Sequence, residues 1–129
     1  MQILLQFYAS LDSMSTKSLN GASITAIILS ILRNGDSYGY AIIHRVRELS
    51  GGDVEWTAGS LYPVLHRMKT NGWITDYWHE PEGERRRRYY AITPKGEKAL
   101  ASEREKWMTF HDVLTALWDE EPGLGTSTS

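Results

Sequence analysis

The chain has 129 residues, 41% hydrophobic and 23% charged, a size and balance that fit one compact domain and leave little room for a second. Seven Tyr, five Trp and two Phe exclude a disordered polymer, no apolar run approaches the ~20 residues of a bilayer-spanning helix, and the lack of cysteine excludes disulfides, thiol nucleophiles and thiolate metal sites. The net charge of −2 argues against an indiscriminate nucleic-acid binder, but it hides an asymmetry: residues 1–32 balance, residues 33–98 carry a net +2 and residues 99–129 a net −4.

The opening MQILLQFYAS has no Lys or Arg ahead of its apolar stretch, so it lacks the basic region of a secretory signal, and a cytoplasmic location is expected. Residues 1–18 form an N-terminal extension in which Ile3, Leu4, Leu5, Phe7, Tyr8 and Leu11 precede a Ser/Thr/Lys linker. Two readings stand for it: Met14 is the true start, or the apolar piece is a helix docked on a dimer surface. From Asn20, a plausible cap, to Arg33, the residues Ile24, Ile27, Ile28 and Ile31 recur at helical spacing and stop before Asn34-Gly35. Residues 38–49 repeat the pattern with Ile42, Ile43, Val46 and Leu49, Ser37 as N-cap and Ser50-Gly51-Gly52 as the stop.

Thr57 caps a third helix over 58–70 with Leu61, Val64, Leu65 and Met68 inward and Asn71-Gly72 as the left-handed stop; Pro63 falls in its early turns. The period then changes to alternation over 73–80 and 87–93, two strands joined by a polar tip, Pro81-Glu82-Gly83-Glu84, with Ile74 and Ile92 inward. Thr93-Pro94 opens a long helix over 94–118, and a Gly/Ser/Thr tail, 119–129, loses periodicity and is expected to be disordered. The predicted fold is mainly α with a small β-hairpin: a winged helix-turn-helix over 19–93 followed by a C-terminal dimerisation helix.

In that order of elements the runs SYGYAIIHRVREL, TAGSLYPVLHRMKTNGWI and RRRRYYAITPKGEKAL stand at spacings that resemble the PadR family of bacterial and archaeal transcriptional regulators, over about residues 19–118. The resemblance implies a homodimeric winged-helix DNA-binding protein, usually a repressor, that often releases its operator on binding a small aromatic effector. The single C-terminal helix is similar to that of the compact subgroup. Residues 1–18 have no counterpart in it.

In a helix-turn-helix the second of the two crossing helices enters the major groove. On the 58–70 helix the residues left outward or flanking are Ser60, Tyr62, His66, Arg67 and Lys69, with Ala58 and Gly59 allowing close approach. Tyr62 either contacts DNA, as the family pattern favours, or wedges between helices. Tyr38 and Tyr40 either donate to phosphates or pack. Arg85, Arg86, Arg87 and Arg88 are expected to alternate faces along a strand, two toward DNA and two toward Glu80, Glu82 or Glu84. Each phosphate neutralised adds roughly 0.9 to the negative slope of log affinity against log salt.

Along the last helix Leu100, Trp107 and Leu114 fall seven apart, with Phe110 and Leu117 at the other heptad position: a dimer seam, weakened by Glu103, whose two-fold axis would match an inverted-repeat operator. Met108, Val113 and Trp118 widen that face toward the first helix and read as core. Trp107 is either an interface aromatic or, as the resemblance to compact ligand sensors suggests, half of a clamp for a planar aromatic ligand walled by Met108 and His111. An enzyme is not expected: the chain has no glycine-rich phosphate loop, HExxH or nucleophile elbow, and His44, His66, His79 and His111 lack metal-ligand spacing. No cofactor is expected. The competing class is a winged-helix protein-interaction module, since fold does not fix function.

Overall fold

A computed structural model describes residues 21–120. Among them the chain forms α1 (Gly21–Arg33), β1 (Ser37–Tyr38), α2 (Gly39–Leu49), α3 (Ala58–Thr70), β2 (Ile74–His79), β3 (Arg87–Ile92) and α4 (Pro94–Glu120). The strands make one antiparallel sheet in the order β1-β3-β2. The expectations for residues 1–18, the Asn20 cap and the tail beyond 120 lie outside the described residues. No helix among those described is long and apolar enough to cross a membrane.

The helix ends follow local chemistry. Thr57 accepts the Ser60 amide at 3.2 Å and opens α3. At its other end Gly72 takes φ +79°, its amide donates to the Lys69 carbonyl and that of Trp73 donates to Met68, closing the last turn in the Schellman pattern. Thr93 accepts the Gly96 amide at 3.0 Å and donates to the Gly72 carbonyl at 2.6 Å, so the start of α4 is tied to the stop of α3. α4 extends to Glu120, two residues past the predicted end, because helix propagation needs no apolar side chain and the first strong stop in the sequence is Pro122.

Other expectations are corrected. Instead of a two-stranded hairpin, Ser37 and Tyr38 pair with Tyr90 and Tyr89 and add a third strand. That pairing removes Ser37 from the cap position, and α2 begins after Tyr38, whose side chain makes no cap bond. The core is formed by Ile24, Ile28, Leu29, Leu32, Ile42, Val46, Trp56, Leu61, Val64, Leu65, Met68, Ile74, Tyr90 and Leu100. The α1 stripe is thus rotated from the predicted one: Leu29 and Leu32 are buried, while Ile27 lies at the surface. Leu49, expected inward, is exposed at the last turn of α2.

Leu100, the predicted start of the dimer seam, is 6% exposed and belongs to the protomer core. Met108, Val113 and Trp118, expected to join the core beside α1, are exposed. The reason is length. At about 1.5 Å per residue α4 runs about 40 Å, and α1 within the described residues about 20 Å, so the C-terminal half of α4 extends beyond that stretch. Trp107, Phe110 and Leu114 are half-buried and Leu117 is exposed along this overhang.

Candidate nucleic-acid interface

The hairpin register sorts the wing residues onto two faces. Asp76 lies opposite Tyr90, Tyr77 opposite Tyr89, Trp78 opposite Arg88 and His79 opposite Arg87. Because side chains alternate along a strand, Asp76, Trp78, Arg88 and Tyr90 share the face toward α3, and Tyr77, His79, Arg87 and Tyr89 share the other.

On that other face, Tyr89 is the hub of an aromatic cluster: its ring lies 5.2 Å from Tyr38, 5.9 Å from Tyr77 and 5.1 Å from His79. The Arg87 guanidinium sits 4.4 Å over the Tyr38 ring and pairs with Glu84 at 3.3 Å. Tyr77 donates to Asp36 at 2.6 Å, a bond that, with some burial, pushes its phenol up to about 12. Tyr38 therefore packs, half-buried, in a scaffold that joins the wing to the start of α2.

On the α3 side, Arg86 and Arg88 flank the exposed indole of Trp78, with guanidinium carbons 4.7 and 5.4 Å from its ring centre. Arg88 also bonds Asp76 at 2.9 Å, and Lys69 of α3 bonds the same carboxylate at 3.0 Å. Tyr90 is buried beneath them, and burial raises its phenol. A groove of about 330 Å³ between wing and helix-turn-helix is lined by Tyr38, Tyr40, Tyr62, Trp78, Tyr90 and the four arginines.

The predicted residues divide accordingly. Tyr40, 68% exposed in the first turn of α2, and Tyr62, 42% exposed on α3, open onto the groove. Tyr62 is both a wedge and a surface residue, for its phenol lies against Gly39. His66 is exposed. Ser60 takes part in the α3 cap, its hydroxyl accepting from that of Thr57 at 3.0 Å. Arg67 lies elsewhere: it lines a separate groove with Thr25, Met68, Trp73 and Lys106, facing α1 and α4, because it sits two helical positions round from the Tyr62–Lys69 face.

The four arginines do not alternate along one strand, since β3 begins at Arg87 and Arg85 and Arg86 precede it. Alternation survives in part, with Arg86 and Arg88 on Trp78 and Arg87 turned to Glu84. Among the described residues Arg85 and Arg86 have no acidic partner, so theirs is the least compensated charge in the wing. Asp76 and Trp78 carry no signal in the linear sequence that singles them out, and Gly39 stands out only as part of the SYGY run. Laying the two strands in register from Ile74 opposite Ile92 would have placed Asp76 and Trp78 beside Arg88.

A recognition helix, a cationic wing and an aromatic groove between them are the parts of a winged-helix regulator. The model of the transcriptional regulator PadR-like family matches residues 28–102. The chain belongs to the PadR-like family of transcriptional regulators. Among solved PadR-like structures, a Clostridium difficile PadR family transcription regulator is 31% identical, with a TM-score of 0.63 over 73% of this chain and 96% of that one. A PadR-like transcriptional regulator from Bacillus cereus is 27% identical, with a TM-score of 0.68 over 75% and 92%. The transcriptional regulator YqjI of Escherichia coli is 32% identical over 80 residues, which are 62% of this chain and 37% of that protein. The PadR-like match ends at residue 102, so the overhanging part of α4 lies beyond it.

Proposed function

We propose that this PadR-like regulator binds double-stranded DNA at an inverted-repeat operator as a homodimer and acts as a repressor. The observation that carries the reading is the single groove onto which Tyr40, Tyr62 and Arg85–Arg88 open. The N-terminal half of α3 enters the major groove, Tyr62 and His66 reach base edges or phosphates, and Arg85 and Arg86 bind the flanking phosphate backbone. Lys69, Arg87 and Arg88 add charge that neighbouring carboxylates partly offset.

The seam on α4, now counted from Trp107 through Phe110, Leu114 and Leu117, pairs with its mate about a two-fold axis, which sets two recognition helices against two half-sites. A small planar aromatic ligand stacks between Trp107 and its mate, with Met108 and His111 at the rim. Trp107 meets Phe110 edge to face at 6.2 Å, and that contact supports the ring's orientation. Ligand binding relieves repression by favouring a dimer whose recognition helices no longer match the operator spacing.

Selection of bound duplexes from a random pool tests the reading. An inverted repeat is expected. A pool that enriches no sequence overturns it and turns the weight to a protein-interaction module.

A further inference from the structure

Lys69 and Arg88 come from different elements, one from the recognition helix and one from the wing, yet they end on one carboxylate. Lys69 Nζ lies 3.0 Å from Asp76 Oδ1 and 3.1 Å from Oδ2, and Arg88 Nε lies 2.9 Å from Oδ2. The Asp76 side chain is only 11% exposed, whereas those of Lys69 and Arg88 are 46% and 48% exposed. The acceptor is thus shielded beneath the donors, and the outer ends of both cations stay at the surface. Exposed ion pairs contribute little because solvent competes for both partners, but a carboxylate withdrawn from water is held to its cations more firmly.

We infer that Asp76 is a specificity-determining positioning residue: it fixes the recognition helix to the wing and withholds one unit of positive charge from indiscriminate phosphate binding. The inference rests on the DNA-binding reading above. Two mobile cations would bind phosphates of any duplex wherever they fell. Two cations anchored on one carboxylate offer a net single charge at a set spacing, which only a correctly seated duplex can use fully. The register makes this possible, for Asp76 stands opposite Tyr90 and two residues from Trp78, whose ring Arg88 also meets. The guanidinium is therefore held from two sides, by the carboxylate and by the indole.

Asp76→Asn keeps the shape and removes the charge. Binding of the intact protein to the selected operator and to a scrambled duplex of equal length, followed against salt, reads the effect. Scrambled-duplex affinity is expected to rise roughly five- to tenfold per protomer at about 0.1 M salt, with a salt slope steeper by about 0.9. Operator affinity is expected not to follow, so that the ratio of the two falls roughly tenfold. A brace with no role in selectivity would instead lower thermal stability and move both affinities in parallel, and that result overturns the inference. Asp76→Glu provides a second reading if the Asn variant fails to fold: it keeps the charge and shifts it by one methylene, so the ratio should fall with the slope unchanged. An unaltered ratio in that variant also overturns the inference. Wild-type protein that binds neither duplex defeats the DNA-binding reading itself, whereas selective wild type with equally selective variants defeats the role of Asp76 alone.

Discussion

The phenol of Tyr62 occupies the space that a side chain at Gly39 would need: a Cβ there would lie 2.5 Å from Tyr62 Oη and 2.9 Å from Cζ. Gly39 is the first residue of α2 and Tyr62 the fifth of α3, so this contact sets how closely the two helices cross. Gly39 has no positive φ, which means that alanine suits its backbone and the clash falls on the tyrosine. Gly39→Ala is expected to leave the melting temperature within a few degrees of wild type while operator affinity drops about tenfold or more, because Tyr62 is pushed off its perch. In a double variant with Tyr62→Ala the loss should equal that of Tyr62→Ala alone. Fully additive losses would show that the contact is not the cause.

Gly96 gives the opposite pattern. A Cβ there would run into the Trp73 backbone carbonyl and lie 2.9 Å from Ile92 Cγ1. Backbone cannot step aside as a side-chain tip can. Gly96→Ala should therefore destabilise the fold by about 1–3 kcal/mol despite the better helix propensity of alanine. Urea unfolding followed by far-ultraviolet circular dichroism measures it, and a midpoint equal to wild type would refute the close approach of α4 to Trp73 and β3.

Much of this arrangement could be read from the sequence where the signals are local. The cap at Thr57, the stop at Asn71-Gly72 and the Thr93-Pro94 start each lie within a few residues of the turn they specify, and each is found in place. The face of α1 was harder, because IILSILR offers apolar residues all round and only the packing of α4, β3 and α3 decides that Leu29 and Leu32 go inward rather than Ile27. β1 has two residues, too few for any period, and exists because Tyr89 and Tyr90 pair with it some fifty positions away. Trp56 joins the core from a connection with no periodicity to announce it. At the interface, residue types were legible but partners were not. A run of four arginines shows charge, whereas its division among Trp78, Asp76, Glu84 and open solvent depends on strand register.

The Tyr77–Asp36 bond predicts a pH dependence. The hydrogen bond to Asp36 raises the Tyr77 phenol from 10.0 to about 12, so the folded state favours the neutral form. A raised folded value means that the stabilisation is complete below pH 10 and is lost as pH rises through about 12. Absorbance titration of tyrosinate should show a late phase that holds Tyr77 together with Tyr90, which burial raises. In Tyr77→Phe the late phase should shrink by one tyrosine. An unchanged late phase would contradict the assignment.

On the proposed reading, dimer formation depends on the overhang of α4. Trp107→Ala and Leu114→Ala are each expected to weaken association by about 2 kcal/mol, whereas Leu100→Ala should act on protomer stability, since Leu100 is buried in the core. Sedimentation equilibrium separates these outcomes. A planar aromatic dye should quench wild-type tryptophan fluorescence and do so far less in the Trp107→Ala protein at concentrations where it remains dimeric.

On the proposed reading, the groove between α3 and the wing is the DNA-binding face. The most direct test of that claim is the affinity for the selected operator against salt concentration, compared between wild type and Arg85→Ala/Arg86→Ala. These two cations have no acidic partner among the described residues, so their removal breaks no internal ion pair. The variant should stay folded and dimeric, bind more weakly, and show a slope shallower by about 0.9 for each phosphate that is no longer neutralised. A variant that binds the operator with the wild-type affinity and slope would contradict the claim.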